Sequence, residues 1–238
     1  MKRIFALLIT LLIFAPLLGQ KIDLQKGEFF LTQEKALSET TQIKKEIMRI
    51  NYANIGESNK SATDSAGPRA HLFEANYSTE MRKAGIGLHP SSTGSLSARA
   101  RVGVNFTSPI TGESSNATMG IMGRIKGSID NALADGSVEI VAIVKDSTTN
   151  ECWSKQLFYR DATKENIDMP FNATINFLLK EDHEYITYVE IKGYQDSAFI
   201  TGKIDFFSRD YGVGYDEMIV WAYFPERVLH KYKPCRPR

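Results

Sequence analysis

A chain of 238 residues, 42% hydrophobic and 24% charged, has a globular composition and the length of one domain with an appendage, which excludes wholesale disorder. Its formal charge is +1, from 29 basic and 28 acidic residues. No strong field of either sign marks it for nucleic acid or for an acidic lipid surface.

The first twenty residues, MKRIFALLITLLIFAPLLGQ, have a signal-peptide pattern: Lys2 and Arg3, an apolar run from Ile4 to Ala15, and the small Gly19 before Gln20. That run is shorter than the ~20 residues of a comfortable membrane span, and no later run is long and uncharged enough. The sequence therefore predicts a secreted, periplasmic or cell-surface protein with no membrane span after leader removal. Without Lys2 and Arg3, 27 basic residues face 28 acidic ones, a net −1. Outside the cytosol, two cysteines with none left over suggest a Cys152–Cys235 disulfide. The Lys, Pro and Arg around Cys235 make it a poor buried residue, and a partner accounts for it better.

Residues 21–56 are expected to be helical. From Gln33 to Ile50 there is no Gly or Pro; Ala36, Ile43, Ile47 and Ile50 fall on one stripe, Thr32 can cap the start, and Asn54 and Gly56 can stop the run. Residues 57–69, polar and rich in small side chains, read as a linker. AHLFEANYSTEMRK reads as a first strand, and AGIGLHPSSTGS breaks it.

From Leu96 the period becomes two. LSARARVGVNF, MGIMGRIKGSI, VEIVAIVK, CWSKQLFYR, FNATINFLL, EYITYVEIK, AFITGKIDFF and EMIVWAYF give eight short strands with turn signals between them. The expected fold is mainly β: an antiparallel β-sandwich over residues 70–230, jelly-roll-like or immunoglobulin-like, with one N-terminal amphipathic helix and a tail over 231–238.

Catalytic patterns are absent: no G-x-S-x-G, P-loop or C-x-x-C occurs, and His183-Glu184 lacks the second histidine of a zincin. His71, His89, His183 and His230 read as surface residues. Glu190 and Asp205, placed on neighbouring strands, would be the acid pair of a secreted carbohydrate-active hydrolase; beside Lys192 and Lys203 they read instead as a charge ladder. Asp182, Asp210 and Asp216 offer weak calcium ligands at a spacing that matches no recognised loop, and no other cofactor is suggested.

The aromatic residues point to binding. In the last strand Met218, Val220, Ala222 and Phe224 face the core, leaving Ile219, Trp221 and Tyr223 outside; Tyr188 is placed on the outer face of its own strand. Such a face either stacks a glycan or protein partner or is covered by the N-terminal helix, and the cover is the preferred reading. Asn59, Asn76, Asn105, Asn116 and Asn172 begin N-x-S/T sequons, which are glycosylation acceptors in a host with the machinery; Asn59 and Asn116 are expected in loops. The functional expectation is an exported, non-enzymatic β-sandwich that binds or assembles outside the cytosol, through a protein or a glycan.

Overall fold

A computed structural model describes residues 42–64, 72–90, 94–112, 114–130, 135–161, 164–197, 202–208 and 210–225. Except for Gln42 they belong to one unit, Ile43–Arg238. Wherever apolar residues alternate with polar ones the chain is extended, because only a strand puts successive side chains on opposite faces. The eight strands expected from that alternation correspond, from Gly94 onward, to β5 (Gly94–Thr107), β6 (Ser115–Asp130), β7 (Asp135–Asp146), β8 (Cys152–Asp161), β9 (Lys164–Leu179), β10 (Glu184–Ser197), β11 (Lys203–Asp205) and β12 (Gly212–Pro225); residues 198–201 of the expected AFITGKIDFF strand lie outside those described. Four more precede them: β1 (Gln42–Ile50), β2 (Ile55–Asp64), β3 (Leu72–Ser78) and β4 (Lys83–His89).

The strands pair in nested fashion. β7 pairs with β8, β6 with β9, β5 with β10, and β4 with both β11 and β12, each pair antiparallel. β11 and β12 lie on one line between β4 and β6, since Asp205 faces Ser128 and Gly212 faces Lys126. A long hairpin rolled up in this way is a jelly roll, which resolves the topology left open by periodicity. One sheet runs β2-β5-β10-β7-β8; the other has seven strands, with β1 beside β12 and β3 beside β4.

The inner faces close a core drawn from both sheets. Leu96, Ala100, Val102 and Val104 of β5 and Ile140, Ala142 and Val144 of β7 join Ile121, Ile125 and Ile129 of β6 and Met218, Val220 and Ala222 of β12, all fully or almost fully buried. Tyr185 anchors one end. Its ring stacks on Phe106 at 5.6 Å and meets the edge of Phe177 at 5.7 Å. Its hydroxyl donates to the Leu178 carbonyl and accepts from the Lys180 N–H, and burial pushes its pKa up to about 12.

Three segments differ from the sequence expectation. Gln42–Ile50, the second half of the expected helix, is an edge strand beside β12; residues 33–41 lie outside those described. Ile43 and Ile47 satisfy a period of two as well as one of four, and β-branched isoleucines favour the pleated edge, where Ile47 and Ile50 reach the core. Most of the expected linker is also strand: β2 pairs with β5 from Ile55–Gly103 to Asp64–Gly94. Main-chain pairing holds it, so its polar composition gives no sign. The expected break at AGIGLH is β4, with Ala84, Ile86 and Leu88 buried.

Candidate functional site

The three aromatic residues singled out from sequence do not form one platform. Tyr188 lies on the outer face of the five-stranded sheet, whereas Trp221 and Tyr223 lie on that of the seven-stranded sheet. Tyr188 is buried in a small outer cluster with Val141 and Ile143, and the Arg101 guanidinium roofs its ring at 4.8 Å. Burial, helped by the Glu190 charge, raises its phenol pKa. Trp221 and Tyr223 are half-buried, on the outer face as expected. The Trp221 ring lies over Gly120, where a Cβ would fall 2.5 Å from Cζ3, and Lys44 Nζ of β1 sits 4.6 Å from the ring centroid. β1 thus lies beside the aromatic strand in the same sheet, with Lys44 over the Trp221 ring, and not across its outer face as the expected helical cover would.

An opening on this sheet lies elsewhere. Between Asp205 and Gly212 the β11–β12 line is interrupted by an excursion, in which Phe206 and Phe207 lie against the outer face of β4 at Gly85 and Gly87. Phe206 turns inward and is fully buried, its N–H donating to the Ile86 carbonyl at 2.7 Å. Phe207, Ser208 and Tyr211 stay outside. They face the β3–β4 hairpin across a cleft of about 350 Å³, with Asn76, Ser78 and Lys83 on the opposite side.

Each wall is fixed by identifiable groups. Asp205 caps the excursion: its carboxylate accepts from the N–H groups of Phe207 (3.0 Å) and Ser208 (3.1 Å) and from the Ser208 hydroxyl (2.8 Å). Burial pushes the Asp205 pKa up, but these hydrogen bonds and Lys203 outweigh it, so the carboxyl lies below its ordinary value. Gly212 ends the excursion at φ +126°, a conformation only glycine adopts readily, with the Ala84 carbonyl 2.5 Å from where a Cβ would be. The floor is Gly85, whose missing Cβ lets the Phe206 carbonyl approach to what would be 2.3 Å. On the hairpin side Arg82, at φ +53°, donates from Nη1 to the carbonyls of Asn51 and Asp216. Lys83 is partly desolvated, which lowers its pKa against the pull of Asp210.

The result is an apolar and aromatic groove, Phe207 being 39% exposed and Met81 63%, with a few hydroxyl, amide and ammonium groups at its margins. Small-molecule and sugar sites have this character, and the volume is at the lower end of their ~300–1,000 Å³ range. The sequence carried two signals for it: glycines alternating with apolar residues in AGIGLH, and an aspartate followed by aromatics and glycine in DFFSRDYGVG.

The candidate acid pair is separated. Glu190 is in the five-stranded sheet, paired with Arg99 and Lys192; Asp205 is in the seven-stranded sheet, beside Lys203. Among the described residues the carboxyls with displaced pKa values, Asp146, Asp168 and Asp205, all move down, each held by hydrogen bonds or a cation. A general acid needs the opposite. His183 is a partner rather than a plain surface residue: its Nδ1 lies 2.7 Å from the fully buried Asp146 carboxylate. Asp182 sits in the β9–β10 turn, Asp210 in the excursion and Asp216 in β12, and among the described residues no three His, Cys, Asp or Glu gather as a metal set. Cys152 is exposed and free among the described residues; Cys235, His71 and His230 lie outside them. All five sequon asparagines are exposed. Asn59 and Asn116 lie in β2 and β6 rather than in loops.

No protein-family model matches the chain, and no curated protein matches it in sequence. Among solved structures, it aligns over 67% of its length, at 10% identity and a TM-score of 0.27, with a carbohydrate-binding module of the β-sandwich superfamily, of which it spans only 56%. It also aligns with TmCBM61 in complex with β-1,4-galactotriose (71% of this chain, 88% of that one, 10% identity, TM-score 0.25). A third is the family 11 carbohydrate-binding module from Clostridium thermocellum in complex with a mixed-linked tetrasaccharide (76% and 93%, 7% identity, TM-score 0.18). At these scores the likeness carries no argument about what this chain binds.

Proposed function

We propose that this chain is an exported, non-enzymatic β-sandwich that binds a glycan outside the cytosol, in the cleft between the β3–β4 hairpin and the Phe206–Tyr211 excursion. The observation that carries the reading is the cleft, lined by Phe207, Tyr211 and Gly85, with Asn76, Ser78 and Ser208 as hydrogen-bonding groups. An aromatic ring offers a flat apolar surface to the C–H face of a sugar, and the rim groups meet its hydroxyls. Export rests on the leader pattern of residues 1–20, which lie outside those described. The non-enzymatic reading rests on the separation of Glu190 from Asp205 and on the downward direction of the displaced carboxyl pKa values.

The test is a glycan array with the mature chain and its Phe207→Ala and Tyr211→Ala variants, made in a host that does not glycosylate Asn76. Binding by the parent, lowered at least tenfold in both variants at unchanged far-UV circular dichroism, is expected. A folded parent that binds no glycan, or variants that bind as well as the parent, would overturn the proposal.

A further inference from the structure

The outer face of the five-stranded sheet carries a second opening, of different chemistry. It is a cavity of about 260 Å³ above β2, β5 and β10, lined by Asn59, Ser61, Ser97, Arg99 and Lys192. These residues sit side by side by register: Asn59 pairs with Arg99 and Arg99 with Lys192, while Ser61 pairs with Ser97. The two serine hydroxyls hydrogen-bond at 2.7 Å.

Beneath the two cations lies Glu190, whose side chain is only 2% exposed although its strand position points outward. Arg99 Nε donates to its Oε2 at 2.5 Å, and Lys192 Nζ donates to its Oε1 at 3.1 Å. A carboxylate held this far from water costs free energy unless it is paired and hydrogen-bonded. Here one buried acid fixes two cations, which themselves stay 43% and 44% exposed. Arg99 uses Nε for this bond, leaving its two Nη nitrogens, the fork that matches a carboxylate. Lys192 has a second acid near it, Glu139 at 3.6 Å, but Glu139 does not line the cavity. The neighbouring Arg101 is occupied by Glu57 and by the Tyr188 ring.

The geometry points to a binding site for the carboxylate of an acidic sugar, a uronate unit, read by the Arg99 fork and Lys192 with Ser61, Ser97 and Asn59 on its hydroxyls. The volume is below the ~300 Å³ at which whole-ligand pockets begin, so the cavity reads one unit of a chain. The site extends the glycan-binding reading above and rests on it, but it uses none of the residues of the aromatic cleft.

The experiment is calorimetric titration of the full mature chain with a galacturonate trisaccharide and with the neutral galactose trisaccharide. The variants are Arg99→Lys, which keeps a cation for Glu190 but loses the fork, and Lys192→Gln. At least tenfold tighter binding of the acidic sugar is expected, weakening as salt is raised and largely lost in Arg99→Lys. Should Arg99→Lys fail to fold, Lys192→Gln carries the same comparison from an exposed position. Equal affinity for the two sugars, no binding of the acidic one by a folded chain, or a preference that survives in the folded variants would overturn the inference. Neutral glycans held through Phe207 without an acidic preference would remove this site and leave the cleft standing.

Discussion

Asp205 is the residue on which the cleft depends. It gathers three hydrogen bonds from Phe207 and Ser208 at the point where the chain leaves the β11–β12 line. Hydrogen bonds to a charged acceptor are worth about 1.5–3 kcal/mol each against loss of the partner. Its folded pKa is depressed, so its contribution is complete above the unfolded value, near 3.9, and is lost as pH falls through the folded value. Protection of the Phe207 and Ser208 amides from hydrogen exchange should therefore hold steady from about pH 8 to about pH 5 and fall below about pH 4. In Asp205→Asn it should be weaker throughout, without that acid step. An acid step of the same size in Asp205→Asn would assign the titration to another group. Nothing in the two-residue alternation of GKIDFF distinguished this aspartate from a surface charge: the cap depends on where the chain turns.

At the scale of elements, the alternation of apolar residues located the strands with a clear inner face and missed those without one. β2 is held by its ladder to β5, and β4 has glycine where an outer side chain would be. In β1, Ile43 and Ile47 suit either period, and the partner strand decides between them: as an edge of β12 it buries Ile47 and Ile50 and brings Arg49 to 2.6 Å from Glu217. A helix in its place would leave one side of β12 unpaired, a liability for a strand of this length. Ile50→Ala should cost about 2–5 kcal/mol in urea unfolding, as for other fully buried isoleucines. A chain starting at Asn51 should unfold at lower urea and associate as concentration rises. An unchanged midpoint in both would show that β1 does not contribute to the folded unit.

At the scale of the molecule, the class of fold was legible and the grouping of sites was not. A period of two assigns each side chain to an inner or outer face; it does not say which of two sheets the strand joins, so it does not separate Tyr188 from Trp221 or Glu190 from Asp205. Only the nested pairing supplies that. The same pairing bears on the proposed Cys152–Cys235 disulfide. Ser115 Oγ donates to the Tyr223 carbonyl at 2.5 Å, Ser115 faces Leu179, and Lys180 Nζ lies 2.6 Å from Glu151, the residue before Cys152. The end of β12 and the start of β8 are therefore at the same end of the sandwich. Cys235 lies ten residues past Pro225, a span of at most about 33–36 Å when extended. That is enough to cross three neighbouring strands at roughly 5 Å each. The bond would close the 84 residues from 152 through 235 and restrict the unfolded chain by about 4–5 kcal/mol in the chain-entropy model. The chain recovered from an oxidising compartment should show no thiol reactive to Ellman's reagent when unfolded without reductant. Reduction should expose two thiols and lower the unfolding midpoint. Two reactive thiols before reduction, in a chain whose leader has been removed, would rule the bond out.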